Sequence, residues 1–146
     1  DGGSAIVPSG LDYLKRQLKE WHGSAMADTM GLRLIEVSDG SATFEAHPLP
    51  KFYNPQMRVH GGFAATLIDS ATGCAVQTKL PAGTGYGTIE LKVNYVRKIV
   101  AETGRLLCTG SVIHAGRTMF TAEATCCRTA LSGRFRLAIA TIVSSR

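Results

Sequence analysis

Between Gly61 and Val76 the only formally charged side chain is Asp69. Around it stand Phe63, Ala64, Ala65, Leu67, Ile68, Ala71, Cys74, Ala75 and Val76, which leave almost no polar face at helical spacing. A helix that is apolar on nearly every side has to be wrapped by the rest of the protein. The lone carboxylate then needs an explanation, because an unpaired buried charge is costly or shifts its pKa, and such groups are paired, hydrogen-bonded or functional. The plainer reading is an Asp bonded to a nearby backbone or hydroxyl partner; the other is an acid placed for chemistry.

The rest of the chain narrows the choice. Its 146 residues, 45% of them hydrophobic, suit one domain with a substantial core, residues 1–146, in which residues 1–23 form an extension bearing an amphipathic helix. No apolar run approaches the roughly 18 to 20 residues of a membrane span, so no membrane partner is expected. The opening Asp1-Gly-Gly-Ser resembles no signal peptide and is left out of the functional reading. Cys74, Cys108, Cys126 and Cys127 form no CxxC pair and have no histidine at zinc-like spacing. They read as core residues in a reducing cytoplasmic setting, with no metal implied. The net charge of +5, from sixteen Lys and Arg against eleven Asp and Glu, favours anionic partners. Because the cations are scattered singly, with no basic helix or aromatic RNA-binding pattern, a small phosphorylated ligand fits better than nucleic acid.

Ser9, with Asp12 three residues on, caps a first helix whose Leu11, Leu14, Leu18 and Trp21 recur at helical spacing. Residues 32–37 and 41–47 read as a hairpin about Ser38-Asp39-Gly40, with Ala42, Phe44 and Ala46 on one face. A proline-bearing loop leads to His60-Gly61-Gly62 and the apolar helix, which runs until Lys79-Leu80-Pro81-Ala82-Gly83. Thr88 to Arg97 alternates, placing Ile89, Leu91, Val93 and Tyr95 on the face of a half-buried strand. Strands follow at 103–114, 117–128 and 134–143, with turns at Ala115-Gly116 and Ser132-Gly133. One buried helix across a mainly antiparallel sheet is the α+β class.

This order, with Asn54, Val59-His60-Gly61-Gly62, an acid nine residues after the histidine, and Val93-Asn94-Tyr95-Val96-Arg97, resembles the hotdog-fold thioesterases of the phenylacetate-degradation type. The resemblance covers roughly residues 22–143. It implies metal-free hydrolysis of acyl- or aryl-CoA, with no cofactor because CoA is part of the substrate. It puts Asp69 at the catalytic acid, acting as general base or nucleophile, and Gly61 at the backbone N–H that polarises the thioester carbonyl. His60 and Asn54 fall on polar positions that orient the site, and Thr88 falls near a hydroxyl that holds water or substrate. Such proteins are built from dimers, often paired into tetramers.

Physical chemistry supports these roles separately. Unpaired N–H groups at a helix N-terminus suit a developing oxyanion, and Gly61 and Gly62 leave that end unobstructed. A carboxylate supplies the base or nucleophile. Asp69, however, lies about 12 Å along the helix from Gly61, which one chain cannot bring to one carbonyl. A two-fold dimer joining Asp69 of one chain to Gly61 of the other resolves this. Arg97, Lys98 and Arg117 are the cations expected for the CoA phosphates.

His22, His47 and His114 have no nucleophile or acid at a catalytic spacing. Glu90 and Glu123 fall on polar strand positions and Glu102 in a turn, none with an oxyanion donor nearby in sequence. His60 also has a plainer reading as a helix-start residue bonded to backbone. Two rival functions are an enoyl-CoA hydratase and a non-catalytic acyl-CoA sensor. The first needs an Asp–His dyad that this sequence lacks, since position 52 is Phe and His60 stands six residues after Asn54. The second usually comes with a DNA-binding module, for which a single short helix is too little. Phe63, Met57, Tyr53 and Trp21 are the candidates for shaping an aromatic or medium aliphatic acyl pocket.

Overall fold

A computed structural model describes residues 6–130 and 133–145. The apolar segment is helix α3, Gly61–Gln77, and it is enclosed as its composition demands. Leu67, Ile68, Ala71, Ala75 and Val76 have no exposed surface. Helix α3 packs on β2 (Ser41–Ala46), β4 (Leu106–Ala115) and β5 (Met119–Ala130). With β1 (Arg33–Ser38), β3 (Gly87–Tyr95) and β6 (Gly133–Ser145) these form one six-stranded sheet. Its order is β1-β2-β4-β5-β6-β3, antiparallel throughout. Burying each large aliphatic side chain of α3 contributes about 1.5 to 3 kcal/mol, so the helix anchors the sheet.

The two surfaces meet most closely at Gly110 of β4. A Cβ there would sit 2.7 Å from the Thr72 nitrogen and against the Ala71 carbonyl, inside the helix backbone. Beside this contact Phe44, Cys108 and Cys126 fill the core. Cys108 and Cys126 face each other across β4 and β5 as free thiols, while Cys127, past a register shift, is half-buried.

Differences from the sequence expectations have local causes. Helix α1, Gly10–Lys19, is capped by the Ser9 hydroxyl, which accepts the Asp12 N–H at 3.2 Å. It ends before Trp21, whose ring instead meets Phe44 edge-on at 6.1 Å. A short helix α2, Ala25–Met30, follows unforeseen, bounded by a Ser24 cap and by Gly31 at φ 68°. Strand β4 starts at Leu106, not 103, because Ala101–Thr103 forms a 3-10 turn that Gly104 closes at φ 77°. Strand β5 starts at Met119 once the Gly116 N–H bonds the Met119 carbonyl and closes the hairpin. The expected turn at Ser132-Gly133 includes residue 132, which lies outside the described residues.

Among the strands whose side-chain burial is described, β3 is the least buried. It is one of the two outer strands of the sheet, with β1 at the opposite edge, and a register shift sits between Thr88 and Glu90. Leu91 and Val93 are half-buried as their parity requires, yet Ile89 is 59% and Tyr95 54% exposed.

Gly110→Ala should therefore destabilise the fold by about 1 to 3 kcal/mol through overpacking against the helix backbone. Urea unfolding measures this directly; an unchanged midpoint would show that the helix and sheet can part without cost.

Candidate functional site

The loop into α3 is held by its own polar atoms. Asn54 accepts the Gln56 and Arg58 N–H groups through its side-chain oxygen, at 3.0 and 3.4 Å, in a turn that carries Met57 at φ 60°. The Asn54 and Arg58 backbones are joined at 2.8 Å. Asn54 thus shapes the loop with its carbonyl oxygen. The Val59 N–H then bonds the Ile99 carbonyl and the His60 N–H bonds the Phe52 carbonyl, both at 2.8 Å, which fixes where α3 begins.

His60 is the cap of that helix. Its Nδ1 accepts the Gly62 N–H at 2.8 Å, so in the neutral ring the proton resides on Nε2. The Gly62 N–H is thereby occupied, whereas the Gly61 N–H has no acceptor among the described residues. Tyr95, expected only as an apolar strand residue, donates its hydroxyl to the Gly61 carbonyl at 2.7 Å and pins the first turn to β3. Its phenol is held above the usual range by burial. Asn54, His60, Gly61, Tyr95, Arg97 and Lys98 line a cavity of about 310 Å³. A second cavity of about 300 Å³ shares Arg97 and Lys98 and adds Thr103 and Arg128. Arg117 joins neither; it lies in the β4–β5 turn, at the opposite end of that hairpin from Arg128.

Asp69 faces a different cavity, also about 310 Å³, between α3, Thr88 and the N-terminal residues Tyr13 to Ser24. It is half-buried rather than enclosed, because α3 there looks out beside the exposed start of β3. Its Oδ1 accepts the Thr88 hydroxyl at 2.8 Å. The hydroxyl partner of the plainer reading and the pairing with Thr88 are therefore one contact. Cys74, on the same wall, has its thiol pushed up to about 12 by burial and then by the Asp69 charge, which keeps it protonated.

Within one chain, then, Gly61 is brought to His60, Asn54, Arg97 and Lys98, and Asp69 to Thr88, in two separate cavities. Of the aromatic and Met residues considered for an acyl pocket, Trp21 alone lines the Asp69 cavity. Phe63 stacks on Phe52 at 4.5 Å in the core, Met57 is 72% exposed, and the Tyr53 hydroxyl accepts the Ala101 N–H.

Residues 57–129 match the sequence pattern of the thioesterase superfamily. A candidate esterase of Halobacterium salinarum is 36% identical over 128 residues, which is 84% of this chain and 76% of the relative. The chain belongs to the thioesterase superfamily. It is a thioester hydrolase by that membership. Among solved structures, a conserved protein of Pseudomonas aeruginosa is 26% identical, with a TM-score of 0.77 over 87% of this chain and 97% of that one. The PaaI protein of the Escherichia coli phenylacetic acid degradation operon shares the fold at 19% identity, with a TM-score of 0.79 over 96% and 95%. The fold is the hotdog fold of the PaaI-like thioesterases, as the resemblance implied.

Iodoacetamide should alkylate Cys74 slowly at pH 8 in a Cys127→Ser background, and the rate should rise in Asp69→Asn as the raising charge is lost. Equal rates with and without the Asp69 charge would contradict the described proximity.

Proposed function

We propose that this thioesterase hydrolyses aryl- or short- to medium-chain acyl-CoA to the free acid and CoA, with each active site shared between two chains. The observation that carries the reading is the separation of the two required groups. Asp69 and the unbonded Gly61 N–H open into different cavities and lie about 12 Å apart along one helix. A two-fold partner brings its Gly61 opposite this Asp69 and generates a second, equivalent site. β3, one of the two outer strands, suits such pairing, since an edge strand presents unpaired backbone and this one carries exposed Ile89 and Tyr95, with exposed Val96 just after it. Dimers paired into tetramers complete the proposed assembly.

In the general-base route Asp69, steadied by Thr88, takes a proton from water while the water oxygen bonds to the thioester carbon. The carbonyl oxygen gains negative charge and the partner's Gly61 N–H stabilises it. The tetrahedral centre then collapses, the C–S bond breaks, and the departing thiolate takes the proton back from Asp69. In the nucleophilic route the carboxylate itself bonds to that carbon, expelling CoA thiolate, and water hydrolyses the resulting anhydride. Both routes need the same carboxylate in the same place. Arg97 and Lys98 border the cavity at Gly61 and extend into the next, a course that suits the pantetheine arm and phosphates of CoA. Arg117 lines neither of these cavities in one chain. A cytoplasmic setting is part of the same reading, supported by four free thiols.

Release of CoA thiol from a panel of aryl, short-chain and medium-chain acyl-CoAs tests the proposal. Asp69→Asn, compared at matched oligomeric state, should lose about 10² or more in rate. Turnover unchanged by the substitution would remove Asp69 from the chemistry, and binding of CoA esters without turnover by the wild type would favour the sensor function.

A further inference from the structure

Two glycines open α3, and at each the space a Cβ would fill is taken by a side chain that holds the backbone. A Cβ on Gly61 would lie 3.0 Å from the Tyr95 hydroxyl and 3.1 Å from the ring carbon that bears it. One on Gly62 would lie 2.9 Å from His60 Nδ1. The peptide between the two glycines is gripped at both ends. Its carbonyl accepts the Tyr95 O–H at 2.7 Å, and its N–H donates to His60 Nδ1 at 2.8 Å. Tyr95 is the last residue of β3, and with Gly61 it lines the same cavity. Its phenol, held above the usual range by burial, stays protonated and remains a donor.

Helix ends fray, and glycine leaves the backbone freer than any other residue. A glycine pair in the first turn is therefore a poor support for a donor that has to point at one place. Stabilising an oxyanion depends on donors fixed before the reaction begins. The His60 bond is local, from the residue just before the helix. Among the described residues, the Tyr95 bond is the one side-chain hydrogen bond that ties Gly61 to the sheet. We propose that Tyr95 is a positioning residue for the hydrolysis, which by fixing the Gly61 carbonyl keeps the Gly61 N–H directed at the thioester oxygen. Glycine at position 61 admits the phenol, and the phenol restores the rigidity that glycine lacks. The inference rests on the reading of the Gly61 N–H as the oxyanion donor, and it adds the group that aims it.

Infrared spectra of a bound, uncleavable carbonyl test it. The probes are ketone analogues of benzoyl-CoA and hexanoyl-CoA, with CH2 in place of the sulfur and a carbon-13 label at the carbonyl. Binding to the wild type should move the C=O band to lower wavenumber, and Gly61→Pro should abolish that shift. Tyr95→Phe should reverse about half of it or more and lower kcat for the matching thioester about tenfold, with KM within about twofold. A side chain that only steadied the fold would lower the melting temperature without moving the band. Gly61→Ala keeps the N–H but displaces the phenol, so it should shift the band as Tyr95→Phe does; the two together should add little. It serves alone if the Phe variant does not fold. A band and kcat unchanged in Tyr95→Phe overturn the role of Tyr95 with the reading of Gly61 intact. Binding of neither ketone, or a band that Gly61→Pro leaves in place, overturns that reading and this inference with it.

Discussion

The enclosure of α3 governs the rest of the molecule. A helix apolar around nearly its whole circumference has to be buried, and a curled sheet covers it on several sides at once. Gly110 lets β4 come down onto the helix backbone, and β2 and β5 complete the contact. The cover ends at two places. One is the helix N-terminus, where Gly61 meets a cavity; the other is beside the start of β3, where Asp69 emerges half-buried. The two groups of the proposed hydrolysis stand where the wrapping stops.

Neighbouring hydrogen bonds decide what each of these groups offers. By accepting the Gly62 N–H, His60 removes one of the two glycine donors from contention and leaves the Gly61 N–H toward the cavity. Tyr95 holds the Gly61 carbonyl and so fixes the direction of the peptide that follows. At the other end, the Thr88 hydroxyl engages Oδ1 of Asp69, which in the proposed reaction leaves Oδ2 for water or for the carbonyl carbon. Both residues are therefore tied to β3 by a hydrogen bond, Gly61 through its carbonyl and Asp69 through its carboxylate. In the proposed two-chain site, pairing of β3 with a partner strand and geometry at the reacting carbon would be coupled through that strand.

Much of the fold was legible because it rests on periodicity. The apolar run gave α3 to within a residue or so, and alternation gave six strands. Less legible were features set by capping and by position in the sheet. Helix α2 has no strong apolar period and is defined by Ser24 and Gly31. Ile89 and Tyr95 share parity with Leu91 and Val93 but stay exposed, since parity does not tell an outer strand from an inner one. In the site, Asp69, His60 and Gly61 stood out through a charge in an apolar run and a glycine pair at a helix start. Tyr95 was missed because its bond to the Gly61 carbonyl depends on a phenol oxygen reaching across to α3, a contact with no local sequence spacing.

The central claim is that each site takes Asp69 from one chain and the Gly61 N–H from another. Mixing two inactive variants tests it most directly. Gly61→Pro removes that N–H at the first helical position, which proline tolerates, and Asp69→Asn removes the acid. Equimolar subunits, dissociated and reassembled together, form heterodimers in which one of the two sites has both native groups. The account predicts recovery of about one quarter of wild-type thiol release, from random pairing of two-fold dimers. No recovery, with heterodimers demonstrated by mass, would contradict it and place both groups in a single chain.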